Sequence, residues 1–215
     1  MTRYLYIFTL SFLIAVLIAI GYKYFFEVFE PNSSKSLPIS SKIILDLGKA
    51  PSSTIKAEVT SLGGDAIWIS RISKSPGLLK LNQQIQQGES IETKSDSYAT
   101  LTIGGLVFEL DENSKISLIQ ALPNSIVIEQ DSGVINYTSK NESSPLAIKV
   151  KHLLIRPADG EIKVKASVKS IEVEVIDGEL VKIAYNNLDY TTETVSLSKG
   201  EVFMFDDIVR EHNIL

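Results

Sequence analysis

Cysteine is absent from this chain of 215 residues. That excludes disulfides, thiolate nucleophiles, Cys-based zinc sites and a lipid-modified cysteine anchor together. It leaves the redox compartment open, because a domain with an adequate core needs no cross-links. Histidine is scarce: His152 and His212, far apart in sequence, are the only two. A metal pair would require the fold to bring them together, and two solvated histidines are the simpler expectation. No cationic run exists, since 21 Lys and Arg face 26 Asp and Glu for a net charge of −5. The chain therefore lacks the electrostatic footprint of a nucleic-acid binder or a polybasic lipid patch. Also missing are a nucleophile elbow of the G-x-S-x-G kind, a phosphate-binding loop and a dinucleotide fingerprint.

One long hydrophobic run is present. Leu5 to Ile20 reads LYIFTLSFLIAVLIAI, with Thr9 and Ser11 as its only polar side chains. Extended to 4–24 it supplies the roughly 20 residues that a helix needs to cross a hydrocarbon core. Tyr4 and Tyr6 at one end and Tyr22, Tyr24, Phe25 and Phe26 at the other suit the two interfaces. Arg3 and the α-amino group precede the run, which places the N-terminus in the cytoplasm and the bulk of the chain outside. The expectation is a single-pass anchor in the cell membrane with a cytoplasmic stub at 1–3. A cleavable signal peptide, with Ala19 and Gly21 at the −3 and −1 positions of the cleavage site, fits less well. The apolar run is too long and no polar stretch precedes the site.

Residues 25–54 form a juxtamembrane segment and a Ser/Pro-rich linker (PNSSKSLPISSK at 31–42), with a short candidate strand at Ile43–Leu47. From Ile55 onward the dominant period is two. Ala57 alternates with Val59, Ala99 with Leu101 and Ile103, and Leu106 with Phe108 and Leu110. Ile116 and Leu118, Ile126 and Ile128, Ile148 and Val150, and Ile162 and Val164 continue it. The last runs are Ile171-Val173-Val175, Val181-Ile183-Tyr185 and Val195-Leu197. Short alternating runs bounded by Gly-Gly, Asp-Gly and Lys-Gly turns predict an all-β antiparallel sandwich or roll behind one N-terminal transmembrane α-helix. The short helical candidates are 78–86, which reads better as strand, and 206–212 in a C-terminal tail of 206–215. Ile67 and Ile69 read as core-facing, which turns Trp68 the other way. An outward Trp suits recognition, yet packing against a sheet or loop is the commoner role.

Residue chemistry adds little. Asp111-Glu112-Asn113 lacks the spacing of a calcium loop and reads as a polar turn. Asn32, Asn136 and Asn141 open matches to the glycosylation acceptor pattern, which recurs by chance in a Ser/Thr-rich chain. No catalytic residue, cofactor or metal site is expected.

Ordered motifs run through the β region. Gly88-Glu89-Ser90-Ile91-Glu92-Thr93 precedes Ala99-Thr100-Leu101, then Gly105, then Phe108-Glu109-Leu110. Gly133-Val134-Ile135 follows, then Gly160-Glu161-Ile162, the Val173 to Val181 hairpin around Gly178, and Leu197-Ser198-Lys199-Gly200-Glu201. In this order they resemble the FecR family of extracytoplasmic sensor domains over 55–205. The resemblance implies structural roles for Gly88, Ile91, Thr93, Ala99, Leu101, Gly105, Leu110, Gly133, Gly160, Gly178 and Gly200. It also implies a non-catalytic sensing or protein-interaction module at the bacterial cell envelope, with an unknown protein partner there. The family's sigma-factor-contacting segment has no counterpart in the three residues before Tyr4, so sigma-factor control through this chain is not expected. The alternative is a structural scaffold of an envelope or surface assembly.

Overall fold

The computed structural model describes residues 54–73, 75–139, 146–178 and 180–215. The expected transmembrane segment at 4–24 and all of the linker but Thr54 lie outside them. Among the described residues every regular element is a strand, and no helix is long and apolar enough to cross a membrane.

Alternation builds the strands. Burying every second side chain favours a pleated backbone whose other face meets water. β1 (Ala57–Gly63) belongs to a first sheet, and β2 (Ala66–Ile69) and β3 (Pro76–Leu78) pair in a second. β4 (Gln84–Ile85) returns to the first sheet and β5 (Ser90–Thr93) to the second. β6 (Tyr98–Ile103) and β7 (Leu106–Leu110) form a hairpin in the first sheet; β8 (Lys115–Leu122) lies in the second. β9 (Ser125–Ser139) begins in the second sheet beside β8 and ends in the first beside β7. Hairpins then alternate: β10 (Leu146–Val150) with β11 (Leu153–Pro157) in the second, β12 (Gly160–Ala166) with β13 (Ser170–Asp177) in the first. β14 (Val181–Asn186) with β15 (Thr192–Leu197) follows in the second, and β16 (Val202–Asp206) with β17 (Glu211–Ile214) in the first. The two layers face each other across one core. Tyr185 of the second sheet meets Phe203 and Phe205 of the first at 6.0 and 5.5 Å between ring centres.

β9 is where the chain folds over. Its buried positions are Ile126, Ile128 and Gln130, then Ile135, Tyr137 and Ser139, so the inward parity changes between 130 and 135. A polar side chain marks the crossing. Gln130 donates to the carbonyls of Gly133 and Val164 and accepts from the Tyr137 hydroxyl, satisfying a fully buried amide. Because β9 turns back, its end returns to the level of its start, and β10 re-enters the second sheet parallel to the first half of β9. That pair departs from the all-antiparallel expectation.

Three corners carry the chain between sheets with one recurring device. At Lys80–Gln83, Gln86–Glu89 and Ser198–Glu201 the fourth residue's N–H donates to the first residue's carbonyl. The third residue has positive φ: Asn82 at 60°, Gly88 at 85° and Gly200 at 86°. The side-chain oxygen of Gln83, Glu89 or Glu201 accepts from the first residue's N–H at 3.1, 2.7 and 2.6 Å. The exposed N–H and C=O of the last two residues then bond Val59, Leu118 or Val175, in each case a strand of the sheet being entered. A turn that satisfies its own polar groups and docks on the next sheet lets the chain change layer without orphaned backbone.

Residues 206–215 depart from the tail expectation. Asp206 Oδ1 accepts from the N–H groups of Ile208 and Val209, which makes a tight turn instead of a helix start. β17 then pairs with β16 from Asp206↔Glu211 to Phe203↔Ile214. The segment expected as one strand at 78–86 is β3 and β4 separated by the first corner. In β2 the parity is opposite to the expected one: Ala66 is buried, Ile67 and Ile69 are half-buried on the outer face, and half-buried Trp68 packs against the core over Gly77.

Candidate interaction surface

The motif residues fall into two physical groups. Ile91, Thr93, Ala99, Leu101 and Leu110 are buried strand positions. Gly88, Gly105, Gly133, Gly160, Gly178 and Gly200 all have positive φ. Gly133 combines that conformation with close approach, since an added Cβ would lie 2.3 Å from the Ser114 Cα. Ser114 Oγ both donates to the Val134 carbonyl and accepts from its N–H, at 3.0 Å each. Thr93 Oγ1 donates to the Asp111 carbonyl and accepts from the Ser114 N–H. These contacts lock the β7–β8 crossover to the end of β5 and to the bend of β9; none of them opens a site.

The chemistry lies instead at the end of the sandwich where β10 to β17 turn back within their own sheets. Four hairpin turns meet there: 151–152, 167–169, 187–191 and 207–210. Asp207 Oδ1 lies 2.8 Å from His152 Nδ1 and its Oδ2 3.6 Å from Lys151 Nζ, and its N–H donates to the Lys169 carbonyl. Lys151 Nζ donates to the carbonyls of Ser167 and Val168. Arg210 donates to the Asn187 carbonyl at 2.9 Å, stacks over the Tyr190 ring at 5.6 Å and meets His152 Nε2 at 3.1 Å. Every turn is thereby tied to another.

Local chemistry fixes each turn separately. Ser167 Oγ accepts from the Ser170 N–H, and Asp189 Oδ1 accepts from the N–H and hydroxyl of Thr191. Those Thr191 bonds, the hydroxyl's first, hold the Asp189 carboxyl below the ordinary range. Lys151, Tyr190 and Arg210 all sit at positive φ, 50°, 65° and 55°. Glycine, Asn and Asp fill the other positive-φ positions among the described residues. A lysine, a tyrosine or an arginine there costs about 1 kcal/mol each.

What the locked turns present is apolar. Val168 is 88% exposed and Tyr190 81%, with Leu188, Ile208 and Val209 also exposed on neighbouring tips. Beside them, buried Tyr185 donates its hydroxyl to Glu193 at 2.5 Å and lies 2.9 Å from His212 Nδ1. Burial first, and then Glu193, push the Tyr185 hydroxyl up to about 12. The Tyr185 bond, and then one from Asn187, hold the Glu193 carboxyl low. His152 and His212 thus have separate partners and form no pair. Neither the turn cluster nor its tips were legible as a site in the sequence. Their signal was the bulky Val168, Leu188, Ile208 and Val209 at positions where hairpin turns are ordinarily polar.

Comparison with protein-family models and with curated proteins gives no match. Among solved structures, two crystal structures at 2.50 and 1.65 Å show a protein of Parabacteroides distasonis ATCC 8503 that is provisionally assigned as an anti-sigma factor. Each superposes with a TM-score of 0.51 at 14% identity, covering 59% of this chain and 58% of that one. The likeness spans less than two thirds of the neighbour's length and is one of fold.

Proposed function

We propose that this chain is a non-catalytic, membrane-tethered interaction or sensing module of the bacterial cell envelope, and that it engages a protein partner through the four-turn face. The observation that carries this reading is the set of apolar side chains held in water on strained, mutually bonded turns. A sandwich presenting variable side chains on clustered loops is a common solution for recognition. Tyr190 and Arg210 are of the residue types that dominate binding energy at interfaces. The motif resemblance to FecR domains and the fold shared with a provisional anti-sigma factor support a regulatory role; the apolar run at Leu5–Ile20 supports the tether.

The test is site-specific photo-crosslinking in cells, with the crosslinker at Val168 or Tyr190 and a control at Glu172 on the outer sheet face. A discrete adduct with one other protein is expected from the two turn positions and not from Glu172. Val209→Glu should abolish it while leaving the fold intact. Absence of any turn-specific adduct would refute the reading.

A scaffold reading has one observation in its favour. Among the described residues β15 pairs only with β14, and its six residues carry no proline, glycine or lysine to blunt the edge. If crosslinks from Thr194 join copies of this chain edge to edge, assembly by strand addition replaces partner recognition.

A further inference from the structure

We propose that His152 is a proton-operated latch that holds the four-turn face in one arrangement near neutral pH and releases Arg210 in acid. The geometry of the ring carries the inference. Nδ1 lies 2.8 Å from Asp207 Oδ1, and Nε2 lies 3.1 Å from Arg210 Nη2. A guanidinium has only donors and keeps its proton at any physiological pH, so Nε2 must be the acceptor in that contact. The ring is therefore neutral, with its proton on Nδ1 and donated to Asp207.

Adding a proton at Nε2 replaces that hydrogen bond by two donors and two positive charges facing each other at 3.1 Å. The other charged groups decide which partner leaves. Asp207 faces the ring from the 207–210 turn, only 15% exposed, and attracts the imidazolium. Lys151, adjacent in the chain, binds the second Asp207 oxygen at 3.6 Å and the Ser167 and Val168 carbonyls, so it stays. Lys149 nearby is neutralised by Glu129 at 2.7 Å. Arg210 alone is pushed away.

Its departure has a defined consequence. Arg210 is the strained residue, φ 55°, that joins the 207–210 turn to the 187–191 turn through the Asn187 carbonyl and the Tyr190 ring. Once it swings out, Leu188 and Tyr190 are uncoupled from Ile208 and Val209, and the apolar face loses its fixed spacing. The idea extends the reading of this face as an interaction surface, but its test needs no partner.

Hydrogen exchange of the full chain in detergent, corrected for the intrinsic pH dependence, should show residues 187–191 and 207–210 exchanging several-fold faster at pH 5.5 than at pH 7.5, with the β-strands unchanged. His152→Gln, a permanently neutral acceptor, should abolish that pH response. Arg210→Gln should exchange fast at both pH values. Imidazole nitrogen NMR at pH 7.5 should show His152 protonated on Nδ1 alone. An Nε2-protonated ring, no acid response in the wild type, or an equal response in His152→Gln would each overturn the latch. A working latch with no partner adduct would sink only the interaction reading.

Discussion

Replacing Gly133 by alanine puts the fold-over of β9 to the test. Gly133 has φ 89°, and a Cβ there would lie 2.2 Å from Ser114 Oγ and 2.3 Å from Ser114 Cα. The first contact could be relieved by a rotamer; the second is backbone and cannot. Positive φ alone costs an alanine about 1 kcal/mol. Forcing the Ser114 backbone away adds about 1–3 kcal/mol, the usual range for overpacking. Loosening the two Ser114–Val134 hydrogen bonds adds about 1 kcal/mol more. The sum, about 3–5 kcal/mol, is a large part of the 5–15 kcal/mol that holds an ordinary domain together. Gly105 is the control, because its φ is 85° yet nothing lies within 4 Å of the added Cβ. Gly105→Ala should therefore cost only the backbone term, about 1 kcal/mol. Urea unfolding of the full chain, followed through the fluorescence of its single tryptophan, compares the two at equal slope. If the variants fall within about 0.5 kcal/mol of each other, close approach is not what requires glycine at 133.

Two further outcomes follow from the same structure. Glu89→Ala should cost about 1–2 kcal/mol and the more exposed Glu201→Ala about half as much. Glu→Gln at either corner should be nearly neutral, because the amide oxygen still accepts the first residue's N–H; equal losses for Ala and Gln in the urea midpoints would show that charge, not the acceptor, matters. Stability should also fall as pH rises from 10 toward 12. There the unfolded chain releases tyrosine protons that the folded chain keeps, since burial raises Tyr137 far above the ordinary range and Tyr185 is pushed up to about 12. The slope approaches about 1.4 kcal/mol per pH unit for each retained proton. Tyr185→Phe should flatten it, and an unchanged alkaline slope would contradict the burial argument.

Strand positions were readable because alternation is a local signal. Leu106, Phe108 and Leu110, or Val181, Ile183 and Tyr185, state their inward face without reference to anything distant. β2 was misread in parity for the same reason. Ala66 is small enough to hide between Ile67 and Ile69 in a hydropathy pattern, yet it is the buried residue of the three. The corner device was half visible, as Gly88-Glu89 and Gly200-Glu201, but Lys80–Gln83 uses Asn and Gln and matches only in its hydrogen bonds. Long-range features were out of reach: the inward switch within β9, the parallel β9–β10 pair and the meeting of four turns all depend on which strands become neighbours. The expected anchor at 4–24 rests on the sequence alone.

The two ends of the C-terminal half make opposite use of positive φ, and that contrast is what separates scaffold from surface. At the crossover end the left-handed positions are Gly160, Gly178 and Gly200, residues that take the conformation without strain. At the hairpin end they are Lys151, Tyr190 and Arg210, each strained and each reaching across to another turn. If those side chains served stability, removing one would lower it by several kcal/mol. If they serve the arrangement of the face, the relief of backbone strain should roughly offset the bonds that the side chain no longer makes. Arg210→Gly decides between these. Global stability should move by less than about 2 kcal/mol, because relief of φ 55° is balanced against an exposed cation–π interaction and two hydrogen bonds, the one to His152 exposed. Exchange at 187–191 and 207–210 should nevertheless rise at neutral pH, and the adduct from Val168 should disappear. A drop of several kcal/mol would make the turn network part of the core's support and leave the apolar tips without a reason to be held in place.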